Sequence, residues 1–134
     1  MKYRDISDPI LFSNLLFFIN AMLYGFSGFY SLFILFSLST VFSFRYHMDF
    51  EKNKMSEVLD VLFAKLSLCG VLIHLALYAK VNQIIGCLLF LFFCLMIKEI
   101  ATRFDNDSKE YTIAHTLWHI GVFIGNIGVY AFIR

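Results

Sequence analysis

The sequence predicts an all-α membrane protein, a polytopic bundle of about five transmembrane helices formed by a single domain that spans residues 1–134. Three observations predict this class. Sixty per cent of the 134 residues are hydrophobic and Phe occurs 17 times, while the mean hydropathy is +0.74. Soluble domains are only about 45–50% apolar, and a length of this order usually means one domain. The formal net charge of +1 gives no indication of nucleic-acid binding.

Five apolar stretches are long enough to cross the hydrocarbon core, which takes about 20 residues of helix. Gly25, Ser27 and Gly28 mark a tight turn between the first two stretches. We predict the spans at about residues 10–26, 27–47, 55–78, 81–100 and 111–133.

The first stretch is preceded by Lys2 and Arg4, as in a signal peptide. However, Asp5 and Asp8 lie beside these basic residues, and no small-residue cleavage site follows the apolar run. We therefore expect this stretch to be a membrane helix.

The basic residues in the loops and near the ends of the spans are distributed unequally, and this bias predicts the orientation; Lys65, inside the third span, is not counted. With five crossings, the amino terminus shares a side with the loops after the second and fourth helices. That side carries eight Lys and Arg residues: Lys2, Arg4, Arg45, Lys52, Lys54, Lys98, Arg103 and Lys109. The other side carries two, Lys80 and Arg134. The amino terminus is therefore predicted to face the cytoplasm.

Polar and ionisable side chains inside membrane spans are costly, and by default they mark function. This chain has seven that stand out: Ser43, His47, Asp60, Lys65, His74, His115 and His119. The pairs 43/47 and 115/119 are each four residues apart, so each pair shares a helix face. The second helix ends on the side where the third and fifth begin, so we expect Ser43, both histidine motifs and Asp60 at one depth. Lys65 is expected to snorkel or to meet another helix.

Three histidines, a carboxylate and a hydroxyl at one level predict a metal site. Three neutral imidazoles with one open position are typical of catalytic zinc, which activates water for attack. The carboxylate of Asp60 has two candidate roles: it orients the water and accepts its proton, or it fixes an imidazole tautomer. The hydroxyl of Ser43 could donate to a developing oxyanion.

Two other interpretations remain open from the residues alone. A lone pair such as His115 and His119 is often interfacial, particularly beside Trp118. Haem binding needs two histidines on opposite sides of the porphyrin; His47 with either of the other two satisfies this, but it leaves Asp60 without a role.

The motifs resemble those of the CREST superfamily of membrane hydrolases, which includes alkaline ceramidases, progestin and adipoQ receptors and hemolysin III proteins. The sequence SFRYH, from Ser43 to His47, resembles the SxxxH motif of that superfamily. Asp60, within Val-Leu-Asp, resembles its aspartate in the third helix. The sequence HTLWH, from His115 to His119, resembles the HxxxH of its last helix.

The resemblance implies that His47, His115 and His119 bind Zn²⁺, that Asp60 contacts the zinc-bound water, and that Ser43 lines the site. It implies hydrolysis of an amide or ester bond in a membrane lipid, ceramide-like or phospholipid, with metal-activated water as nucleophile. Two alternatives to this function are a non-catalytic membrane protein with a structural zinc and a haem-binding electron carrier.

The chain departs from the superfamily in having five predicted helices where members usually have seven. Removing two helices between the aspartate and the HxxxH motif removes two membrane crossings. Both motifs therefore stay on the same side of the membrane, and the site can still assemble there. Of the acidic calcium-binding segment of alkaline ceramidases only Asp5 and Asp8 are present, so we do not expect calcium binding. The large soluble region of adiponectin receptors is not seen in this sequence, so we infer no receptor role. Gly121 and Gly125 form a GxxxG motif, for which we expect packing within the bundle in preference to a homodimer contact.

Overall fold

The computed structural model describes residues 4–5, 7–48 and 52–134, and Lys2 of the charge count lies outside them. The described chain folds into five α-helices and contains no strand. They are α1 (Pro9–Phe26), α2 (Tyr30–Met48), α3 (Lys54–Tyr78), α4 (Val81–Ala101) and α5 (Lys109–Ile133). The prediction of an all-α bundle with five helices is confirmed.

Local sequence explains where the helices begin. The Asp8 carboxylate accepts a hydrogen bond from the Ile10 amide and Pro9 follows at the first helical position, so α1 starts there. Asn53 caps α3 and Ser108 caps α5 in the same way. These caps fix the helix starts more sharply than the apolar stretches do.

The turn between α1 and α2 differs from its prediction in one respect. The second helix begins at Tyr30 and not at residue 27. Gly28 has φ +82°, a left-handed conformation that glycine adopts readily and that a continuous helix cannot contain. The residues 27–29 therefore form the connection and are lost from the predicted helix.

Four helices, α1, α3, α4 and α5, are long and apolar enough to cross a membrane. Helix α2 lies outside this set although it has 19 residues, because its sequence includes Ser39, Thr40, Ser43, Arg45 and His47. The apolar helices indicate a membrane protein. Four of these polar residues of α2, Ser39, Thr40, Ser43 and His47, are buried against neighbouring helices.

The helices form an open arc. Helix α2 packs against α1 and α3, α1 also packs against α5, and α5 packs against α4. Helix α3 makes a smaller contact with α5, whereas α3 and α4 do not pack extensively on each other, although only Ala79 and Lys80 join them. Short connections make consecutive helices antiparallel. We call the end where α1, α3 and α5 begin the histidine end, and the opposite end the far end.

The main apolar core lies at the far end. Its members come from the second halves of α1, α3 and α5 and the first half of α2: Ala21, Tyr24, Leu32, Phe36, Val71, Leu75, Val129 and Ile133. A smaller cluster of Ile10, Ala101 and Tyr111 lies at the histidine end. The bundle is therefore closed by apolar packing at the far end, where α3 approaches α5.

The GxxxG motif packs inside the bundle, as we expected. A Cβ atom built on Gly121 would lie 2.9 Å from Cys94 Sγ, and one built on Gly125 would lie 3.0 Å from the Phe90 ring. Both neighbours belong to α4. The small residues therefore let α4 approach α5 closely, and this face is already covered by the chain's own helix.

Candidate metal centre

Three histidines from two helices come together at the histidine end. One ring nitrogen from each of His47, His115 and His119 lies within 4.8 Å of the corresponding atoms of the other two. The ring centroids are 4.6 Å apart for His47 and His115, 4.8 Å for His115 and His119, and 5.5 Å for His47 and His119. His47 is 1% exposed and His119 2% exposed. Two of the three rings are therefore buried within the bundle, while His115 is partly exposed.

The helix arrangement explains why these side chains meet. His47 lies one residue before the end of α2, and His115 and His119 occupy successive turns near the start of α5. Helix α1 packs against both α2 and α5 and forms the wall behind the cluster. Phe17 of α1 contacts the His119 ring edge-on, with centroids 4.9 Å apart.

Ser13 of α1 determines which nitrogen of His119 carries a proton. Its Oγ lies 2.8 Å from the Ile10 carbonyl oxygen and 2.7 Å from His119 Nδ1. A carbonyl has no hydrogen to give, so the Ser13 hydroxyl donates to Ile10 and must accept from His119. His119 is therefore protonated on Nδ1, and Nε2 carries the lone pair that a metal needs.

Ser13 was missed by the sequence analysis, which weighed ionisable groups and the serine of the SxxxH motif only. A signal was available, because Ser13 and Asn14 interrupt the apolar run of α1 near the histidine end. Both are buried. Adjacent buried polar residues in a membrane helix need partners in neighbouring helices.

A cleft of about 950 Å³ leads to the histidines; most of its lining comes from α3, α4 and α5, and the rest comes from α1 and α2. Ser43, Asp60, His115 and His119 all line it. Asp60 is half-buried and Ser43 is buried. His47 is buried too; it is not part of the lining, but its ring contacts those of His115 and His119. The structure thus brings four of the five predicted site residues to one cavity, with the fifth in contact with two of them.

The rest of the cleft is mainly apolar, with a few polar exceptions. Asn126, seven residues after His119 in α5, lines it, and its amide nitrogen donates to the Val122 carbonyl at 2.9 Å. Lys98 of α4 was not predicted here: its Nζ lies 5.7 Å from the centroid of the Trp118 ring. Sequence spacing could not reveal this contact because it joins two different helices.

His74, the fourth histidine, is separate from the cluster. Its Nδ1 donates to the Gly70 carbonyl one turn earlier in α3, at 2.8 Å. Its ring packs edge-on against Phe29, with centroids 5.4 Å apart. His74 therefore has a local structural role in the far half of α3.

The amino-terminal segment closes the bundle beside the histidines. The Arg4 amide donates to the Met48 carbonyl at 2.8 Å, and the Arg4 guanidinium pairs with Asp8 at 3.1 Å. The same guanidinium donates to the carbonyl of Asn106 in the connection between α4 and α5. Asp8 therefore serves both as the cap of α1 and as the ion-pair partner of Arg4.

The three imidazoles fit a zinc ion better than a haem iron. Zinc binds histidine nitrogen at about 2.0–2.1 Å with tetrahedral angles, which corresponds to nitrogens about 3.3 Å apart. Ring movements of about 1 Å would bring this trio from its present spacing to that one. A porphyrin must separate its two axial imidazoles, whereas each pair here is in direct edge contact.

No protein-family model, curated protein or solved structure matches this chain. Any function assigned to this chain therefore rests on its own residues. They provide a buried nitrogen cluster, a carboxylate and a hydroxyl on a shared apolar cleft.

Proposed function

We propose that the protein is a zinc-dependent membrane hydrolase that cleaves an amide or ester bond of a lipid, and that it belongs to the CREST superfamily. One observation carries the proposal: a buried trio of histidines stands at an apolar cleft that also presents Asp60 and Ser43. Such a cleft, bordered by two helices that do not pack extensively on each other, suits a substrate that enters from the bilayer. Ceramide-like lipids and phospholipids are both candidate substrates.

In this proposal, His47, His115 and His119 hold the ion, and Ser13 keeps His119 in the tautomer that can bind it. When bound, zinc supplies Lewis-acid polarisation and an activated water. The Asp60 carboxylate accepts the proton of the attacking water and returns it to the leaving nitrogen or oxygen as the C–N or C–O bond breaks. The Ser43 hydroxyl donates a hydrogen bond to the substrate carbonyl oxygen as negative charge develops there.

The apolar lining contributes by excluding bulk water and by holding the lipid chains. Water exclusion strengthens the hydrogen bond from Ser43 and the charge of Asp60 on the substrate. Positioning of the scissile carbonyl between these two groups supplies much of the rate gain.

A non-catalytic protein with a structural zinc is the alternative that the same histidines support. The two are separated by one experiment on one preparation: zinc by elemental analysis, and fatty-acid release from ceramide and from phospholipid in proteoliposomes. Zinc with turnover supports the hydrolase, and zinc without turnover favours the structural role. A Soret band in the absorption spectrum, with no zinc, would favour haem.

The proposal includes an orientation, with the amino terminus and the metal centre on the cytoplasmic side. The distribution of basic residues supports it, with eight on one side against two on the other. A reporter fused after Lys52 should be cytoplasmic, and one fused after Arg134 should be external. Finding both on one side would mean an even number of crossings, and the motifs would then no longer share a face.

Ser13→Ala should weaken zinc binding without removing a ligand. Loss of a hydrogen bond that orients a ligand typically costs about 10–100-fold in metal affinity, and here His119 would also be free to adopt the wrong tautomer. Competition with a fluorescent zinc chelator measures the affinity. Ser13→Thr keeps the hydroxyl and should bind zinc like the wild type.

The matched control for Ser13→Ala is Ser37→Ala, because the buried Ser37 hydroxyl has no hydrogen-bond partner among the described residues. Equal zinc affinity in Ser13→Ala, Ser37→Ala and the wild type would show that Ser13 does not position His119.

A further inference from the structure

Two lysines line the cleft that leads to the histidines. Lys65 comes from α3 and Lys98 from α4, so they stand on its two borders. Asp60 is the one acidic residue among the described residues of the lining. Two ammonium groups against one carboxylate give the described lining of the cleft a net charge of +1 when its histidines are neutral. An excess of positive charge inside an apolar cavity favours the binding of an anion.

The two lysines reach toward the same level of the bundle. Lys65 is eleven residues after the start of α3, about 16 Å along the helix. Side chains lean toward the amino terminus of their own helix. Lys65 therefore leans back toward the level of Asp60, and Lys98, on an antiparallel helix, leans away from the histidine end. The Lys98 ammonium indeed lies beside Trp118, the neighbour of His119.

Neither lysine has an acidic partner within the described part of the chain, where Arg4 and Asp8 form the ion pair. An intramembrane charge without a counter-charge is costly, and it marks a functional site by default. Lys98 is three residues from the end of α4 and can snorkel to the headgroup region. Lys65 lies too far along α3 for snorkelling to the headgroup region to account fully for a charge at that position.

We propose that the substrate is an acyl lipid whose headgroup carries a phosphate, and that the phosphate binds between Lys65 and Lys98. The inference rests on the proposed hydrolase function and chooses between its two substrate classes. Ammonium groups bind phosphate through charge-assisted hydrogen bonds, which are stronger than neutral ones. A neutral ceramide would leave both lysines without a counter-ion, so it should be the poorer substrate.

The experiment uses lipid pairs that differ only in the phosphate: ceramide 1-phosphate against ceramide, and phosphatidic acid against diacylglycerol, with identical acyl chains. The wild type should prefer the phosphorylated member by about 10-fold or more. Lys65→Met and Lys98→Met should each lower the preference for the phosphorylated lipid about 10-fold, measured as the ratio of the two turnover rates. Lys65→Arg should keep the preference.

Lys109→Met is the matched control, because it removes the same charge at the start of α5 but lies outside the cleft lining. It should retain the wild-type preference. Equal turnover of both members by the wild type, or an unchanged preference in the Lys65→Met/Lys98→Met double variant, would overturn the inference.

Lipid binding measured by native mass spectrometry separates this inference from the hydrolase proposal. Phosphate-selective binding that depends on Lys65, without any hydrolysis, would support the headgroup site and contradict the enzyme. Hydrolysis without phosphate selectivity would support the enzyme and contradict the headgroup site.

Discussion

His119→Ala is expected to remove most of the zinc, from roughly one ion per chain in the wild type, and to abolish lipid turnover. Two imidazoles and water seldom hold zinc well. The loss of affinity should exceed the roughly 10–100-fold that follows from disturbing a group outside the ligand set. Elemental analysis of protein purified without added metal measures the ion, and fatty-acid release measures the activity.

His74→Ala is the matched control, because it removes an imidazole that lies outside the trio. It should keep both zinc and turnover. His119 packs against Phe17 and is almost fully buried, so truncation to alanine also leaves a cavity. His119→Gln retains more of the volume and should still lose zinc. Wild-type zinc content in both variants of His119 would contradict the metal centre.

Asp60→Asn is expected to retain zinc and to lower lipid hydrolysis by roughly 10²–10⁴-fold, the usual range for general acid–base catalysis. Asparagine has nearly the same size as aspartate and still forms hydrogen bonds, but it cannot accept the proton of the attacking water. Zinc content and turnover must be measured on the same preparation. Glu57→Gln neutralises an exposed carboxylate one turn earlier in α3 and should behave like the wild type.

Two other outcomes for Asp60→Asn would each revise its role. Weakened zinc binding would make Asp60 a fourth ligand, leave no open coordination position, and favour structural zinc over the enzyme. Zinc retained together with full turnover would remove Asp60 from the chemistry altogether.

The fold could be predicted because length and apolarity largely define a membrane helix. Pro9, Asn53 and Ser108 then decide the helix starts, within about two residues of the apolar boundaries. The start of α2 was predicted about three residues too early, because residues 27–29 are apolar or small and give no sharp boundary by hydropathy. Ser27 and Gly28 indicated a turn there, and the positive φ of Gly28 shows where the helix is interrupted.

The histidine cluster could be predicted from two signals. The alternating direction of successive helices places the end of α2 beside the start of α5, and the four-residue spacing places His115 and His119 on one helix face. The contact of Ser13 with His119, and of Lys98 with Trp118, could not be predicted. Each depends on which helices are neighbours and how each is rotated. Five helices with short connections allow several such arrangements, and periodicity does not distinguish among them.

The polarity of α2 constrains how the chain enters the bilayer during synthesis. A helix that carries an arginine, a histidine and several hydroxyls partitions into lipid less favourably than its neighbours. Helix α2 packs extensively against α1, and only three residues connect the two helices. Both features favour insertion of α1 and α2 together as a helical hairpin. During insertion, α1 then shields from lipid the polar groups of α2, which include the site residues Ser43 and His47.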